Sequence, residues 1–279
     1  MHVLGVGYPG SVGIIGGGTM GEALIKGLRA RGVAGARLTI SDVRPARLAQ
    51  LRRRYGVRVT PDNAAVVRVS SVVILAVKPQ EMDGVLQVCR AAIGARATSP
   101  LCISIAAGVT LARLRRGLGP RVAVVRVMPN TAARIGASIS ALACGRGVSP
   151  AQRRQAAAIC SAIGDVVDVP ERWLNAVTAV SGSGPAYVFS LIRAMAAAGR
   201  RVGLPPALAQ RLAAATALGS AHLLARTGEA PDALIAQVAS KRGTTEAALR
   251  VFARRGFDRI IAEAVQAAAR RAQELSCLS

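Results

Sequence analysis

From Val12 to Val127, short β-branched runs alternate with stretches whose apolar residues recur at helical spacing. The runs predict strands near Val12 to Ile15, Leu38 to Ile40, Val57 to Val59, Val72 to Val77, Leu101 to Ile105 and Val122 to Val127. Ser71-Val-Val-Ile-Leu-Ala-Val77 is continuously apolar, as a central strand buried on both faces should be. This alternation predicts a doubly wound parallel sheet with helices on both faces, the Rossmann-like α/β class. A helix is expected after Ser149-Pro150 and one more strand near Val166 to Val169. Past Pro170 the pattern becomes Ala- and Leu-rich helix, broken at Ser181 to Pro185, Gly203 to Pro206, Gly228 to Pro231 and Ser240 to Gly243. Two domains are expected: residues 1–170, α/β, and residues 171–279, all-helical.

Several late helices, Leu212 to Ala225 most clearly, are apolar around most of their circumference. A chain of 279 residues cannot easily bury them all, so the expected cover is another copy. A homodimer or higher homo-oligomer joined through the C-terminal helices follows.

Charge complicates this picture without overturning it. The chain carries 37 Lys and Arg against 14 Asp and Glu, a formal net charge of +23 that suggests nucleic acid or a membrane surface. Lysine occurs only at Lys26, Lys78 and Lys241, and the arginines are scattered in ones, twos and threes. Trp173, three Tyr and three Phe are the whole aromatic supply, too few for a base-stacking platform. No uninterrupted apolar span matches a bilayer. Neither a nucleic acid nor a membrane is therefore expected as a partner. Five scattered cysteines without a Cys-x-x-Cys pair fit a reduced, cytoplasmic compartment. His2 and His222, the only histidines, cannot assemble a metal cluster. The first ten residues lack the charged and apolar regions of a signal peptide and read as a leader before the first strand.

Candidate chemistry begins at Gly13-Ile-Ile-Gly-Gly-Gly-Thr-Met-Gly21, which sets Gly16-x-Gly18-x-x-Gly21 between the first strand and a helix running to about Arg31. Glycine permits a tight turn at Gly16, backbone approach to a pyrophosphate at Gly18 and close helix-to-strand packing at Gly21, with helix-terminal N–H groups facing the phosphates. Gly16, Gly17, Gly18, Thr19, Met20 and Gly21 are thus candidate dinucleotide contacts. The second strand ends at Ser41-Asp42-Val-Arg44, where the adenosine ribose should lie. Asp42 favours NADH by accepting from ribose hydroxyls, whereas Arg44 and Ser41 favour NADPH by binding a 2′-phosphate, and the balance leans slightly to NADPH. Lys78, in Ala76-Val-Lys-Pro79, ends the fourth strand at the edge where open α/β sheets bind ligands.

Several motifs in order resemble those of the pyrroline-5-carboxylate reductases, which make proline by reducing a cyclic imine. They are Gly16 to Gly21, Thr60-Pro-Asp-Asn63, Ala76 to Pro79, Ser104-Ile-Ala-Ala-Gly108, Val127-Met-Pro-Asn-Thr131, Ala179-Val-Ser-Gly-Ser-Gly-Pro-Ala-Tyr187 and Ser240-Lys-Arg-Gly-Thr-Thr245. The resemblance spans nearly the whole chain. It implies an NAD(P)H-dependent imine reductase acting on 1-pyrroline-5-carboxylate, with NADPH or NADH contacts from the glycine turn, Asn63, Ala76, Val77, Lys78, Pro79, Ala106 and Ala107. It places the substrate carboxylate and imine nitrogen on Ser240, Gly243, Thr244 and Thr245, with Thr245 the catalytic candidate, and sets Glu171 near the substrate. The family commonly has Ser-Pro-Gly-Gly-Thr-Thr in this loop. Here Lys241 and Arg242 replace Pro and the first Gly, so Arg242 is strained if its φ is positive. Thr19 also stands where the family often has Asn.

The chemistry of the chain agrees. A cyclic imine is substantially protonated near neutral pH and its carbon accepts hydride without a strong acid, so no His–Asp pair is required. Tyr187, after Pro185, reads as a packed ring at a helix start. A β-hydroxyacid dehydrogenase shares the N-terminal pattern but needs a lysine on a C-terminal helix, and none lies between Lys78 and Lys241. A non-catalytic dinucleotide-binding protein is the other alternative; it would keep the turn and lose the loop hydroxyls, all of which are present.

Overall fold

The computed structural model describes residues 10–277; His2 and the expected leader up to residue 9 lie outside them. Among the described residues one sheet has the order β3-β2-β1-β4-β5-β6-β7-β8. Its strands are β1 (Val12–Ile15), β2 (Leu38–Ser41), β3 (Arg58–Thr60), β4 (Val72–Leu75), β5 (Leu101–Ser104), β6 (Val124–Met128), β7 (Ser138–Cys144) and β8 (Gly164–Asp168). From β3 across to β6 all neighbours are parallel. Strands β1, β2, β4 and β5 are buried at every position because helices cover both faces. On one face Leu24 and Leu28 of α1 (Thr19–Ala30) and Leu51 of α2 (Pro45–Tyr55) pack on Ile14 and Ile40. On the other, Val66 of α3 (Asn63–Val69), Met82 of α4 (Met82–Gly94) and Leu114 of α5 (Leu111–Leu118) pack on Ile15, Val73 and Leu75. The chain order reverses between β1 and β4, so a crevice opens at their carboxyl ends, where the glycine turn and Ala76 to Pro79 sit.

The parallel sheet expected from the sequence is present, with one antiparallel pairing added. Strand β7, which the hydrophobic pattern does not predict, runs antiparallel to β6, and β8 then runs parallel to β7. Its residues, Ser-Ile-Ser-Ala-Leu-Ala-Cys, are mostly small and weak strand formers. Pairing on both sides holds it extended. The helix expected after Ser149 is α6 (Pro150–Ser161), and Ser149 with Gln152 forms a reciprocal capping box at its start.

By packing, the described residues up to Gly182, rejoined from Ala268 onward, form one unit, and Ser183–Ala267 another. Residues 171–182 stay with the sheet because Leu174, in the short helix α7 (Leu174–Val177), is fully buried in the second apolar layer. The end of the chain returns to them: Ser276 Oγ lies 3.0 Å from Asn175 Oδ1, to which it donates. Leu275 lies against Gly108 so closely that a Cβ there would meet it at 3.2 Å. The break expected over Ser181 to Pro185 falls at Ser183, where a π-helical turn over Thr178–Gly182 leads into α8 (Gly184–Arg201).

The second unit holds α8, α9 (Pro206–Thr227), α10 (Pro231–Val238), α11 (Thr244–Arg255) and most of α12 (Phe257–Cys277). The breaks fall where Gly and Pro predict them. Its buried residues are only Ala196, Ala209 and Ala213, while Phe189, Leu218, Val238 and Ile260 are each more than half exposed. No helix among the described residues is long and apolar enough to cross a membrane.

Candidate active site

The glycine turn shows why each glycine is there. Gly16 has φ +105° and donates its N–H to the Ser41 carbonyl at 2.8 Å, and a Cβ on it would strike the Ala76 carbonyl oxygen at 2.6 Å. At Gly21 a Cβ would meet the Gly16 carbonyl oxygen at 2.1 Å, so α1 could not approach β1. Gly18 is different. Its φ is −67°, and a Cβ there would meet nothing within 4 Å. The protein leaves this space open, next to a helix start with no side-chain cap on its N–H groups. An anionic group fits that cradle. Thr19 is exposed beside it, and Met20 tucks partly into the core.

Just past the end of β2, Asp42 and Arg44 are brought together rather than opposed. Arg44 Nε and one terminal nitrogen donate to the two Asp42 oxygens at 2.8 and 2.9 Å. Asp42 also accepts from Arg44 N–H at 2.9 Å and from Gly17 N–H at 3.0 Å. The Arg44 hydrogen bonds hold the Asp42 carboxyl below its ordinary value and outweigh the opposing effect of burial. Ser41 is fully buried and donates to Asn63 Oδ1 at 2.6 Å. Its hydroxyl thereby orients Asn63. Ala76 and Val77 pack into the two apolar layers, and Lys78 is exposed. Ala106 is buried and Ala107 half-buried in the turn that Leu275 backs at Gly108.

Glu171 is held by two partners. Its Oε1 accepts from Leu111 N–H, the first residue of α5, at 2.7 Å and from the buried Arg126 guanidinium at 3.1 Å. Arg126 has no sequence signal beyond its place in an apolar strand. Asn130 also gains a setting: its amide nitrogen donates to Ser181 Oγ in the π turn at 3.3 Å.

In the second unit, Ser240 to Thr245 form the turn before α11. Arg242 has φ +63°, the only non-glycine residue with positive φ among those described. The family's glycine at this place is thereby explained, and arginine there carries strain of about 1 kcal/mol. Glu246 in the first turn of α11 accepts from the Arg242 N–H. Gly243 is the N-cap, so Thr244 and Thr245 are the first two residues of the helix, their N–H groups lacking helical partners.

A family model described as pyrroline-5-carboxylate reductase dimerisation matches residues 171–275, and one described as NADP oxidoreductase coenzyme F420-dependent matches residues 11–108. The pyrroline-5-carboxylate reductase of Synechocystis is 47% identical over 265 residues, 95% of this chain and 97% of that one. The chain belongs to the pyrroline-5-carboxylate reductase family. The reductase of Pseudomonas aeruginosa is 41% identical over 95% of this chain and 96% of its own. A solved pyrroline-5-carboxylate reductase from Coxiella burnetii superposes with a TM-score of 0.90 at 33% identity, covering 96% of this chain and 98% of that one. Membership in the pyrroline-5-carboxylate reductases removes the β-hydroxyacid dehydrogenase alternative and agrees with the absence of lysine between Lys78 and Lys241.

Proposed function

We propose that the chain reduces the cyclic imine 1-pyrroline-5-carboxylate to L-proline with NADPH or NADH, the last step of proline biosynthesis. The observation that carries this reading is that a chain aligned over 95% of its length with such reductases keeps both an unobstructed Gly18 and the Gly243-Thr244-Thr245 helix start. When bound, the nicotinamide supplies the hydride. The chain's own part is to bind and orient. Gly16 to Gly21 take the pyrophosphate, Asn63, Asp42 and Arg44 the adenosine end, and Ala76 to Pro79 with Ala106 and Ala107 the remainder. Ser240 and the N–H groups of Thr244 and Thr245 hold the substrate carboxylate, with the Gly243 N–H closing the turn on the Ser240 carbonyl at 2.9 Å, and the Thr245 hydroxyl meets the imine nitrogen. Glu171 presents Oε2, since its Oε1 is engaged. The compartment is the cytoplasm, in keeping with five free cysteines. Following the absorbance loss of NADPH and NADH, with pyrroline-5-carboxylate and with a hydroxyacid-derived ketone, tests reaction class and cofactor together; turnover of the ketone alone would overturn the reading.

Cofactor choice follows from the Asp42–Arg44 pair. Asp42→Ser removes a carboxylate that repels a 2′-phosphate and frees the Arg44 guanidinium, so the NADPH-to-NADH ratio of kcat/KM should rise. Arg44→Ala should lower it. Equal ratios in wild type and both variants would remove the pair from the cofactor site.

The helices of residues 183–267 join copies of the chain into a homodimer or larger homo-oligomer, because their exposed apolar side chains have no cover within the unit. Light scattering or sedimentation should show no stable monomer at micromolar concentration; a monomer would refute this.

A further inference from the structure

Beneath the glycine turn lies a polar cluster that none of the sequence motifs includes. The side chain of Arg47, on α2, is 16% exposed and spends its guanidinium on three acceptors. Nε donates to the Gly17 carbonyl at 2.6 Å, and the terminal nitrogens donate to Glu22 Oε2 and Gln50 Oε1, each at 2.5 Å. Glu22, in the first turn of α1, also accepts from the Tyr55 hydroxyl at 2.8 Å and from Arg54 at 3.1 Å. Burial alone would raise the Glu22 carboxyl, but the hydrogen bonds from Arg47 and Tyr55 together with the charges of Arg47 and Arg54 hold it below its ordinary value. Arg47 is therefore pinned from the far side by a charge that stays in place at working pH.

The Gly17 carbonyl belongs to the same planar peptide group as the Gly18 N–H, and in a trans peptide the two point in opposite directions. A donor clamped on that carbonyl from α2 consequently aims the Gly18 N–H away from α2. The preceding peptide is fixed as well, since the Gly17 N–H donates to Asp42 at 3.0 Å. The space at Gly18 is the open one, and its N–H has no hydrogen-bond partner among the described residues. The geometry points to Arg47 as a positioning residue for the dinucleotide: it fixes the orientation of the Gly17–Gly18 peptide so that the Gly18 N–H meets the pyrophosphate, with Glu22 and Tyr55 holding Arg47 in register.

This rests on the dinucleotide reading, and the test separates the two. Titration of the wild-type protein with NADPH, followed by cofactor fluorescence, must show binding; if it does not, the dinucleotide reading itself fails. With wild-type binding established, Arg47→Ala should raise the Kd and KM for NADPH about 10- to 100-fold, the worth of one charge-assisted hydrogen bond. The kcat at saturating cofactor and the KM for pyrroline-5-carboxylate should stay within about twofold. Adenosine 2′-monophosphate, which lacks the 5′-phosphate, should compete with NADPH equally well in both proteins. Arg47→Lys keeps the charge beside Glu22 but not the fork, so it should fold if Arg47→Ala does not, and show an intermediate loss. Unchanged NADPH affinity in a folded variant, or an equal loss of affinity for adenosine 2′-monophosphate, would overturn the assignment. A lowered Tm with the cofactor constants unmoved would do the same.

Discussion

A Gly18→Val variant is expected to fold as the parent does and to lose its dinucleotide. The backbone at Gly18 has φ −67°, which valine adopts without strain, and no protein atom lies within 4 Å of where the new Cβ would stand. The side chain therefore costs the fold little. What it fills is the volume the pyrophosphate needs, so cofactor affinity should fall about 100-fold or more, on the order of several kcal/mol. Gly16→Val and Gly21→Val serve as contrasts, because each strikes backbone oxygen and should destabilise the unit itself. An unchanged melting temperature with no measurable NADPH binding is the expected pair of results. A folded Gly18→Val protein with parental affinity would mean that the cofactor lies elsewhere.

Thr245→Ala should reduce kcat/KM for pyrroline-5-carboxylate about 10- to 1000-fold, the range for removing one positioning or donor contact, while leaving cofactor affinity alone. Thr245→Ser keeps the hydroxyl and should retain much more activity. The competing explanation, that this threonine merely caps a helix, is weakened by the structure: the cap of α11 is Gly243, and Thr245 is the second helical residue. Its replacement by alanine, a better helix former, should thus leave the melting temperature nearly unchanged. Lower stability with parental kinetics would make Thr245 a structural residue.

The elements that could be read from the sequence are those whose stability is local or periodic. Strand β4 announces itself because it is buried on both faces and hence apolar throughout, and α6 because Ser149, Pro150 and Gln152 are start signals within a few residues of each other. The glycine turn is legible for the same reason: its constraints act over six positions. Strand β7 was not, since Ser138 to Cys144 owe their conformation to neighbours on either side and not to their own preferences. Asp42 and Arg44 were read as rivals for the cofactor; that they bind each other depends on side-chain direction, which spacing does not give. Likewise the partners of Glu171, Leu111 and Arg126, are 60 and 45 residues away, and no local pattern links them. The strained Arg242 is an intermediate case: composition of the loop raised the question, and φ answered it.

The return of the chain end to the first unit has a consequence in time. During synthesis the strands and helices up to Gly182 emerge first and can pair as they appear, yet Leu275, which backs the turn at Gly108, is translated only after the whole of residues 183–267. The nascent α/β unit thus waits on the ribosome with its Ala106 to Gly108 turn unbacked and the side of Asn175 unpaired. Maturation of the Ala106 to Gly108 turn is in this way tied to completion of the helices that follow it, so a chain stalled among them carries a sheet but not a backed turn.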